Sequence, residues 1–226
     1  LGTSHHHLGL IRRQRQAFVA AVESLRQALV IRQRLAETSP QLPALQGDWS
    51  ATLDLLGHTL LQSGATQEAT QYLAQSLSIR EKRVANNPDN LQAQLGLSTA
   101  YERLGNVQLQ LKLVAEALAL YQKCLTIRER LVESSPDRAV AQRNVSVTLE
   151  QMGNAYLQSG TIEKALSRYR ECHALREQLA KNNPTQGQAQ RDLMVANFKL
   201  GEAQRQKFAY AAAAQWYESS VAVLDR

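Results

Sequence analysis

Large aromatic side chains and proline are scarce in this chain, and long apolar runs are missing. Its 226 residues include 3 Phe, 2 Trp and 5 Pro. So few rings do not suit one thick hydrophobic core, whereas the plentiful Ala and Leu suit thin seams between helices. The scarcity of proline leaves long stretches free to be helical. No run approaches the ~18 apolar residues of a membrane span, so we expect no membrane partner.

The chain also lacks a secretory signal and a dense run of one charge. Arg12, Arg13 and Arg15 interrupt any apolar core near the beginning, which a secretory signal requires, so we expect a soluble, cytoplasmic protein. The net charge is +6, but the 26 basic and 20 acidic residues are interspersed. Because interspersed charges are typical of a solvated surface, we expect no nucleic-acid partner.

Residues that would build an active site are few. His58 and His173 are the only histidines outside residues 5–7, and neither belongs to a Ser–His–Asp set. The sequence indicates no strands, and so no glycine-rich phosphate loop that follows one. We therefore predict that the chain is not an enzyme and that it has no catalytic residues, no cofactor and no metal site.

What the sequence has in abundance is repetition, at a fixed period of 48 residues. No residue is inserted or lost between the copies. A period of this size marks stacked supersecondary units rather than one globular core, and it favours a binding surface over an active-site pocket. The repeated segments begin at Ile31-Arg32, Ile79-Arg80, Ile127-Arg128 and Leu175-Arg176, and they close at Pro40, Pro88, Pro136 and Pro184.

Each repeat predicts two helices joined by a short turn. In the second full repeat, apolar residues at spacings of three and four predict helices over about 91–110 and 115–133. The turn between them carries Gly64 and Gly160 in the neighbouring copies. Lys112 stands at that position here, so this corner must close without glycine.

Small residues recur where two helices must touch. A glycine inside a helix costs ~1 kcal/mol relative to alanine, so five copies at one position indicate a close approach between helix backbones. An alanine follows twelve residues later, a Leu or Tyr four further on, and a small residue three after that. The columns are Gly9, Gly57, Gly105, Gly153 and Gly201; Ala21, Ala69, Ala117, Ala165 and Ala213; Leu25, Leu73, Tyr121, Tyr169 and Tyr217; and Ala28, Ser76, Cys124, Cys172 and Ser220.

The two cysteines occupy equivalent places in successive repeats. Stacked helices lie ~8–10 Å apart, too far for a disulfide, which needs Cα atoms within ~7 Å. No Cys-x-x-Cys spacing surrounds Cys124 or Cys172, so a metal site is not indicated. We predict that both are small buried thiols.

This pattern of glycine, alanine, aromatic and small residue resembles the tetratricopeptide repeat. Gly153, Tyr156, Ala165, Tyr169 and Cys172 show it most fully. The resemblance implies an all-α fold, an α-solenoid of stacked antiparallel helix hairpins that winds into a right-handed superhelix. It also implies protein binding.

The chain departs from the family's pattern in its period, which is ~34 residues in the family. Glu81, Glu129 and Glu177 stand where the family usually ends its second helix with proline. The longer second helix is similar to the repeats of kinesin light chains and of large bacterial multidomain proteins.

The repeat register predicts the domain organisation. His5, His6 and His7 look like the remnant of an expression tag, although a native metal site is the alternative. Neither end looks like a polar capping repeat, so we expect a fragment of a longer array or of a larger protein. The predicted segments are a tag remnant at 1–7 and a single solenoid at 8–226, divided into a partial repeat at 8–39, repeats at 40–87, 88–135 and 136–183, and a truncated repeat at 184–226.

A polar stripe lies beside the glycine column, three residues before, one after and five after each glycine. In tetratricopeptide proteins these first-helix positions line a concave groove, so the resemblance implies that the stripe binds a partner. Asn and Gln donate and accept hydrogen bonds, which suits an extended peptide backbone. The predicted ligand-binding residues are Asp54, His58, Gln62, Glu102, Asn106, Gln110, Glu150, Asn154, Gln158, Glu202 and Gln206, with Phe198 at the first position of the last copy.

The charge of this stripe limits its partner. The family's clamp for a peptide carboxylate needs Lys or Arg, whereas Asp54, Glu102 and Glu150 stand here. We predict no such clamp, and instead a basic or polar protein partner held as an extended peptide or as a helix. Two plainer interpretations stay open: the amides are only solvated, or they join neighbouring repeats through amide ladders.

An arginine column and the ends of the array leave further alternatives open. The plain interpretation of Arg32, Arg80, Arg128 and Arg176 is surface charge pairing between repeats, worth ~0–1 kcal/mol each. The alternative interpretation is that these arginines form a basic ridge that binds phosphate or nucleic acid. For the whole chain, the alternatives to peptide binding are a structural module that forms homo-oligomers end to end through its terminal repeats, and a regulatory or sensor segment of a larger multidomain protein.

Overall fold

The computed structural model describes residues 1–135 and 137–223 of the chain. Ten α-helices and the short turns between them account for these residues. The predicted repeat boundary at Pro136 and the last three residues of the predicted last repeat lie outside the described residues. The part of the chain that is described contains no strand, which confirms the all-α prediction.

The helices fall into two compact units, Leu1–Val107 and Gln108–Arg226, and each is described by itself. α5 begins in the first unit, and its last three residues belong to the second. The helices of the first unit are α1 (Gly2–Gln14), α2 (Phe18–Thr38), α3 (Pro43–Gln62), α4 (Thr66–Asn86) and α5 (Leu91–Gln110). Those of the second are α6 (Val114–Ser134), α7 (Arg138–Gln158), α8 (Ile162–Asn182), α9 (Gly187–Gln206) and α10 (Tyr210–Val221).

Within each unit, the packed helices are those that follow one another in the chain. In the first unit α1 packs on α2, α2 on α3 and α3 on α4. In the second, α6 packs on α7, α7 on α8, α8 on α9 and α9 on α10. Antiparallel hairpins stacked by nearest-neighbour contacts are the architecture of an α-solenoid, as the 48-residue period predicted.

The tight turns inside the hairpins each use one residue in the left-handed region. Gly64 and Gly160 have φ of 86° and 73°, which glycine adopts without steric cost. The equivalent residues Gln16, Lys112 and Phe208 have φ of 60°, 63° and 61°. The predicted turn without glycine therefore exists. At these three residues the left-handed backbone conformation costs ~1–2 kcal/mol, as it does for any L-residue with a side chain.

The glycine column makes room for the large residue on the partner helix. A Cβ atom on Gly57 would lie 2.7 Å from Cγ of Leu73, and one on Gly201 would lie 2.6 Å from Cε1 of Tyr217. Both distances are shorter than real Cβ contacts allow. The two helices do approach closely at the glycine, but the nearest atoms belong to a side chain of the partner helix and not, as the sequence predicted, to its backbone.

Both cysteines lie in the cores of their hairpins. Cys124 and Cys172 are buried and unbonded to each other, as predicted. Burial raises the pKa of the Cys172 thiol to about 12, so this group stays protonated at neutral pH and has little nucleophilic character.

The histidine run is part of a packed helix. α1 begins at Gly2 and includes His5, His6 and His7, so the predicted boundary between tag remnant and solenoid falls inside this helix. His6 Nδ1 lies 3.3 Å from Oγ1 of Thr52 on α3. His6 also precedes Arg32 by the 26 residues that separate Asp54 from Arg80, so it occupies the register position of the stripe's acid.

Candidate protein-binding surface

The predicted polar stripe ends at an exposed glutamine on each of the first helices α3, α5, α7 and α9. On α3, Asp54 is buried, His58 is half-buried and Gln62 is exposed. On α5 and α7 the first two residues of the stripe are half-buried, whereas on α9 the first residue, Phe198, is exposed. Glu102, Asn106, Glu150, Asn154 and Glu202 are half-buried, whereas Gln110, Gln158 and Gln206 are exposed.

The acid at the first position is an internal counter-ion. Asp54 Oδ2 accepts hydrogen bonds from Arg80 Nη2 at 2.7 Å and from Arg103 Nη1 at 3.0 Å. Its other oxygen has no partner among the described residues. Burial lowers the pKa of Arg80, and the neighbouring Asp54 carboxylate opposes that shift.

An acid and an arginine at the same two register positions pair again two periods later, in the second unit. Arg176 Nη1 lies 2.7 Å from Glu150 Oε2 and donates to the Asp192 carbonyl oxygen at 3.1 Å. Its Nε donates to Ser146 Oγ at 3.2 Å. One arginine on α8 therefore joins α7 to α9, and Glu150 is committed to this contact.

Three arginines of the column are buried and the fourth, Arg80, is half-buried, which contradicts both sequence-based interpretations of the column. Arg32, Arg128 and Arg176 are 7%, 5% and 3% exposed. Arg32 donates to the carbonyl of Asp48 and the hydroxyl of Thr52 on the next first helix, at 3.1 and 2.8 Å. Side chains buried in this way neither pair charges at the surface nor form a ridge for phosphate.

Arg128 makes the equivalent contacts in the second unit. Its Nη1 donates to the Asn144 carbonyl at 2.9 Å and to Thr148 Oγ1 at 2.8 Å. Both acceptors stand 16 and 20 residues after the arginine, as they do for Arg32. Arg32, Arg128 and Arg176 therefore fix their second helices to the first helix that follows. Arg80 instead bonds Asp54 on the first helix that precedes it.

On α7 and α9, the middle residue of the stripe accepts a hydrogen bond from a tyrosine on the partner helix. Asn154 Oδ1 accepts from the Tyr169 hydroxyl at 2.8 Å, and Glu202 Oε1 accepts from the Tyr217 hydroxyl. Burial raises the pKa of Tyr169, so its hydroxyl remains a donor. The Asn154 amide nitrogen makes only a long bond of 3.4 Å, to Gln151 Oε1.

His58 is the middle residue on α3. Burial lowers its pKa, and the nearby Arg103 lowers it further, while Asp54 opposes the shift. The imidazole is therefore neutral at pH 7 and offers one donor and one acceptor.

Two sequence models of the tetratricopeptide repeat match this chain, over residues 96–178 and 49–89. With the five register columns and the stacked hairpins, these matches decide the family. The chain belongs to the tetratricopeptide repeat family. No curated protein is similar enough in sequence to be matched.

Solved tetratricopeptide structures share the fold. BtubC (BKLC) from P. vanneervenii superposes with a TM-score of 0.75 at 20% identity, over 96% of this chain and 77% of that one. A variant of a putative kinesin light chain with nearly identical repeats, from Podosopora anserina, gives a TM-score of 0.70 at 20% identity, over 98% and 93% of the two chains. These likenesses match the kinesin-light-chain resemblance inferred from the long second helix.

A larger protein contains a similar array. The signal transduction ATPase with a tetratricopeptide repeat sensor from Pyrococcus horikoshii gives a TM-score of 0.70 at 18% identity, over 98% of this chain. This chain spans 29% of that protein.

Charged residues outside the predicted polar stripe also form ion pairs between first helices. Arg103 stands two residues before Gly105 and reaches back 49 residues to Asp54, and Arg143 bonds Asp192 over the same separation, with Nε 2.5 Å from Oδ2. The recurrence of one separation, slightly longer than the period, is the sequence signal for this pairing. The described residues contain no group of three or more potential metal ligands, and none of their helices is long and apolar enough to cross a bilayer.

Proposed function

We propose that the chain is a protein-interaction module that binds a polar, extended peptide along the exposed ends of the first-helix stripe. The observation that carries the proposal is that the first two positions of the stripe are used for internal contacts, whereas the terminal glutamine is exposed on α3, α5, α7 and α9. The acid pairs with an arginine on α3 and α7, and the middle residue accepts from a tyrosine on α7 and α9. What remains for a ligand is a set of uncharged donors and acceptors.

Because most acids of the stripe are paired internally and its exposed polar residues are amides, a polar partner is favoured over a basic one. Three of the four acids in the stripe already pair with an arginine of this chain: Asp54 with Arg80, Glu150 with Arg176 and Glu202 with Arg205. Exposed amides and a neutral imidazole recognise peptide N–H and C=O groups without a charge requirement. In the second unit, Gln158 also donates to the Leu109 carbonyl at 3.3 Å, a weak bond that a ligand can replace.

The experiment uses peptides selected from a random dodecamer display library against the whole chain. Their affinities are then measured for Gln158→Ala/Gln206→Ala and for the matched control Gln122→Ala/Gln215→Ala. The control removes two exposed amides from second helices, at positions outside the stripe. We expect the first pair to weaken binding about 10-fold or more, since each lost hydrogen bond costs ~0.5–1.5 kcal/mol, and the control pair to change it less than twofold. Equal losses in both variants would refute the proposal.

Self-association is a second candidate function, because aromatic residues are exposed near the α9–α10 turn. Phe208 is 76%, Tyr210 63% and Phe198 47% exposed, and aromatic residues are only 5% of the chain. Exposed apolar patches mark interaction sites. Light scattering over a concentration series tests this: growth in mass that Phe208→Ser and Tyr210→Ser reverse favours a structural module.

A further inference from the structure

A second surface lies away from the polar stripe, in a groove between α6 and α8 with α7 as its floor. Its volume is about 460 Å³, within the ~300–1,000 Å³ range of binding pockets. Val132, Val145, Leu149 and Leu175 form the apolar lining, and Glu129 and Glu171 stand on the two opposite helices. We propose that this groove binds an amphipathic helical segment of a partner protein, with apolar side chains in the groove and lysine or arginine on both flanks.

One position on the floor of the groove is occupied by a much larger residue elsewhere in the repeat register. Val145 stands on α7, and the equivalent residue two periods earlier, on α3, is Trp49. Trp49 is half-buried and its indole nitrogen is fully buried, so the large side chain packs into its own hairpin stack. Val145 has the smaller side chain at this register position and is 6% exposed, so a tryptophan in its place would extend into the groove.

The rim of the groove is acidic. The side chains that line it include two carboxylates and no lysine or arginine among the described residues. Glu129 is exposed. Glu171 pairs with Arg168 on its own helix at 2.8 Å, with both side chains at least a third exposed. An exposed pair of this kind is worth little, so a cation of the partner can take the place of Arg168.

The combination of an apolar floor and two opposed carboxylates fits an amphipathic segment better than other occupants. Leucine side chains four residues apart lie on one face of a helix, which suits an elongated groove. Lysines on either side of that face then meet the carboxylates on α6 and α8. Nucleic acid is repelled by the rim, and a purely apolar molecule leaves both carboxylates unpaired.

The test uses two synthetic 14-residue helical peptides with leucines four apart, one flanked by lysines and the other by glutamates. Fluorescence anisotropy measures their binding to the whole chain and to Val145→Trp, which fills the groove with the residue that the register itself uses at Trp49. We expect the lysine peptide to bind and to lose about 10-fold or more in affinity with Val145→Trp. We expect it to lose several-fold with Glu129→Gln/Glu171→Gln, and the glutamate peptide to bind at least 10-fold more weakly.

Controls separate this site from the polar stripe and from misfolding. Gln158→Ala/Gln206→Ala should leave lysine-peptide binding unchanged. If circular dichroism shows that Val145→Trp does not fold, Ala174→Arg replaces it, because this exposed residue borders the groove and an arginine there blocks and repels the peptide. Equal affinity of the two peptides, or binding that none of the groove variants weakens, would overturn the proposal. So would a dimer of the chain alone that Val145→Trp dissociates, because a second copy would then occupy the groove.

Discussion

At the scale of single residues, a buried arginine is stable only where its guanidinium finds partners, and here the neighbouring helices supply them. Arg176 has a carboxylate, a carbonyl and a hydroxyl within hydrogen-bonding distance. Removing water from both members of an ion pair is costly, and the pair is retained only when both members stay together. The stripe's acids are therefore part of the scaffold first and of any binding surface second.

Glu150→Ala should destabilise the chain strongly, because it leaves the Arg176 charge buried without its counter-ion. Breaking a buried pair in this way costs ~3–5 kcal/mol. The matched control is Glu129→Ala, which removes an exposed carboxylate and should change the free energy of unfolding by less than ~0.5 kcal/mol. Urea denaturation followed by circular dichroism measures both, and similar midpoints for the two variants would contradict the internal role of Glu150.

Stability should fall as the pH drops from 6.5 towards 4, in part because of His6. Burial, and then the nearby Arg32, lower the pKa of His6 from 6.5 to about 4. Between these values the unfolded chain binds a proton that the folded chain does not, so acidification favours unfolding. The contribution is fully present above pH 6.5 and is lost as the pH falls through this window.

His6→Gln should flatten this part of the stability curve. Thermal unfolding at pH 7, 6, 5 and 4 measures the slope for both proteins. His58 and His173, whose pKa values burial also lowers, leave some slope in the variant. An unchanged slope would mean that His6 is not buried beside Arg32 in solution.

At the scale of helices and turns, the sequence predicted the elements closely but not their contacts. Periodicity gave helices at about 91–110 and 115–133, and the structure has Leu91–Gln110 and Val114–Ser134. The glycine and alanine columns identified the helix seams, because small residues have few other reasons to recur. The prediction for the arginine column was wrong, because a long side chain beside a glutamate is typical of a surface pair, and only the packing of the helices determines that it points inward.

The turn at Lys112 offers a test of strain that the repeat register suggests. Lys112 has φ of 63° where its counterpart Gly160 has φ of 73°. Lys112→Gly removes a steric cost of ~1–2 kcal/mol, partly offset by the extra freedom of glycine in the unfolded chain. We expect a net stabilisation of about 0.5–1 kcal/mol, seen as a higher urea midpoint.

The reverse substitution is the control for this turn. Gly160→Ala places a Cβ in the left-handed region with no atom within 4 Å, so only backbone strain changes. It should destabilise the chain by about 1 kcal/mol. Shifts of the same sign in both variants would show that the left-handed conformation is not what governs these turns.

At the scale of the whole molecule, the nearest-neighbour order of the helices determines how the chain responds to damage. Repeat proteins have no single core, and their stability is approximately a sum of local terms and of the interfaces between neighbours. The site could be predicted only in part for the same reason. The register located the polar stripe, but the pairing of Asp54 with Arg80 and Arg103, and the groove lined by Val145, depend on contacts between helices that no periodicity encodes.

Gly153→Val should loosen the second unit locally and leave the start of the chain intact. The added Cβ would collide with the ring of Tyr169, which separates α7 from α8 and weakens their contacts with α6 and α9. Hydrogen exchange should therefore accelerate in α6–α9, while α1–α3 keep their protection, since contiguous units open independently. The control is Gly187→Val, at a position where the nearest atom to a built Cβ is 3.8 Å away, and it should leave exchange in both regions nearly unchanged. A uniform loss of protection from α1 to α10 in Gly153→Val would show instead that the two units unfold as one cooperative block.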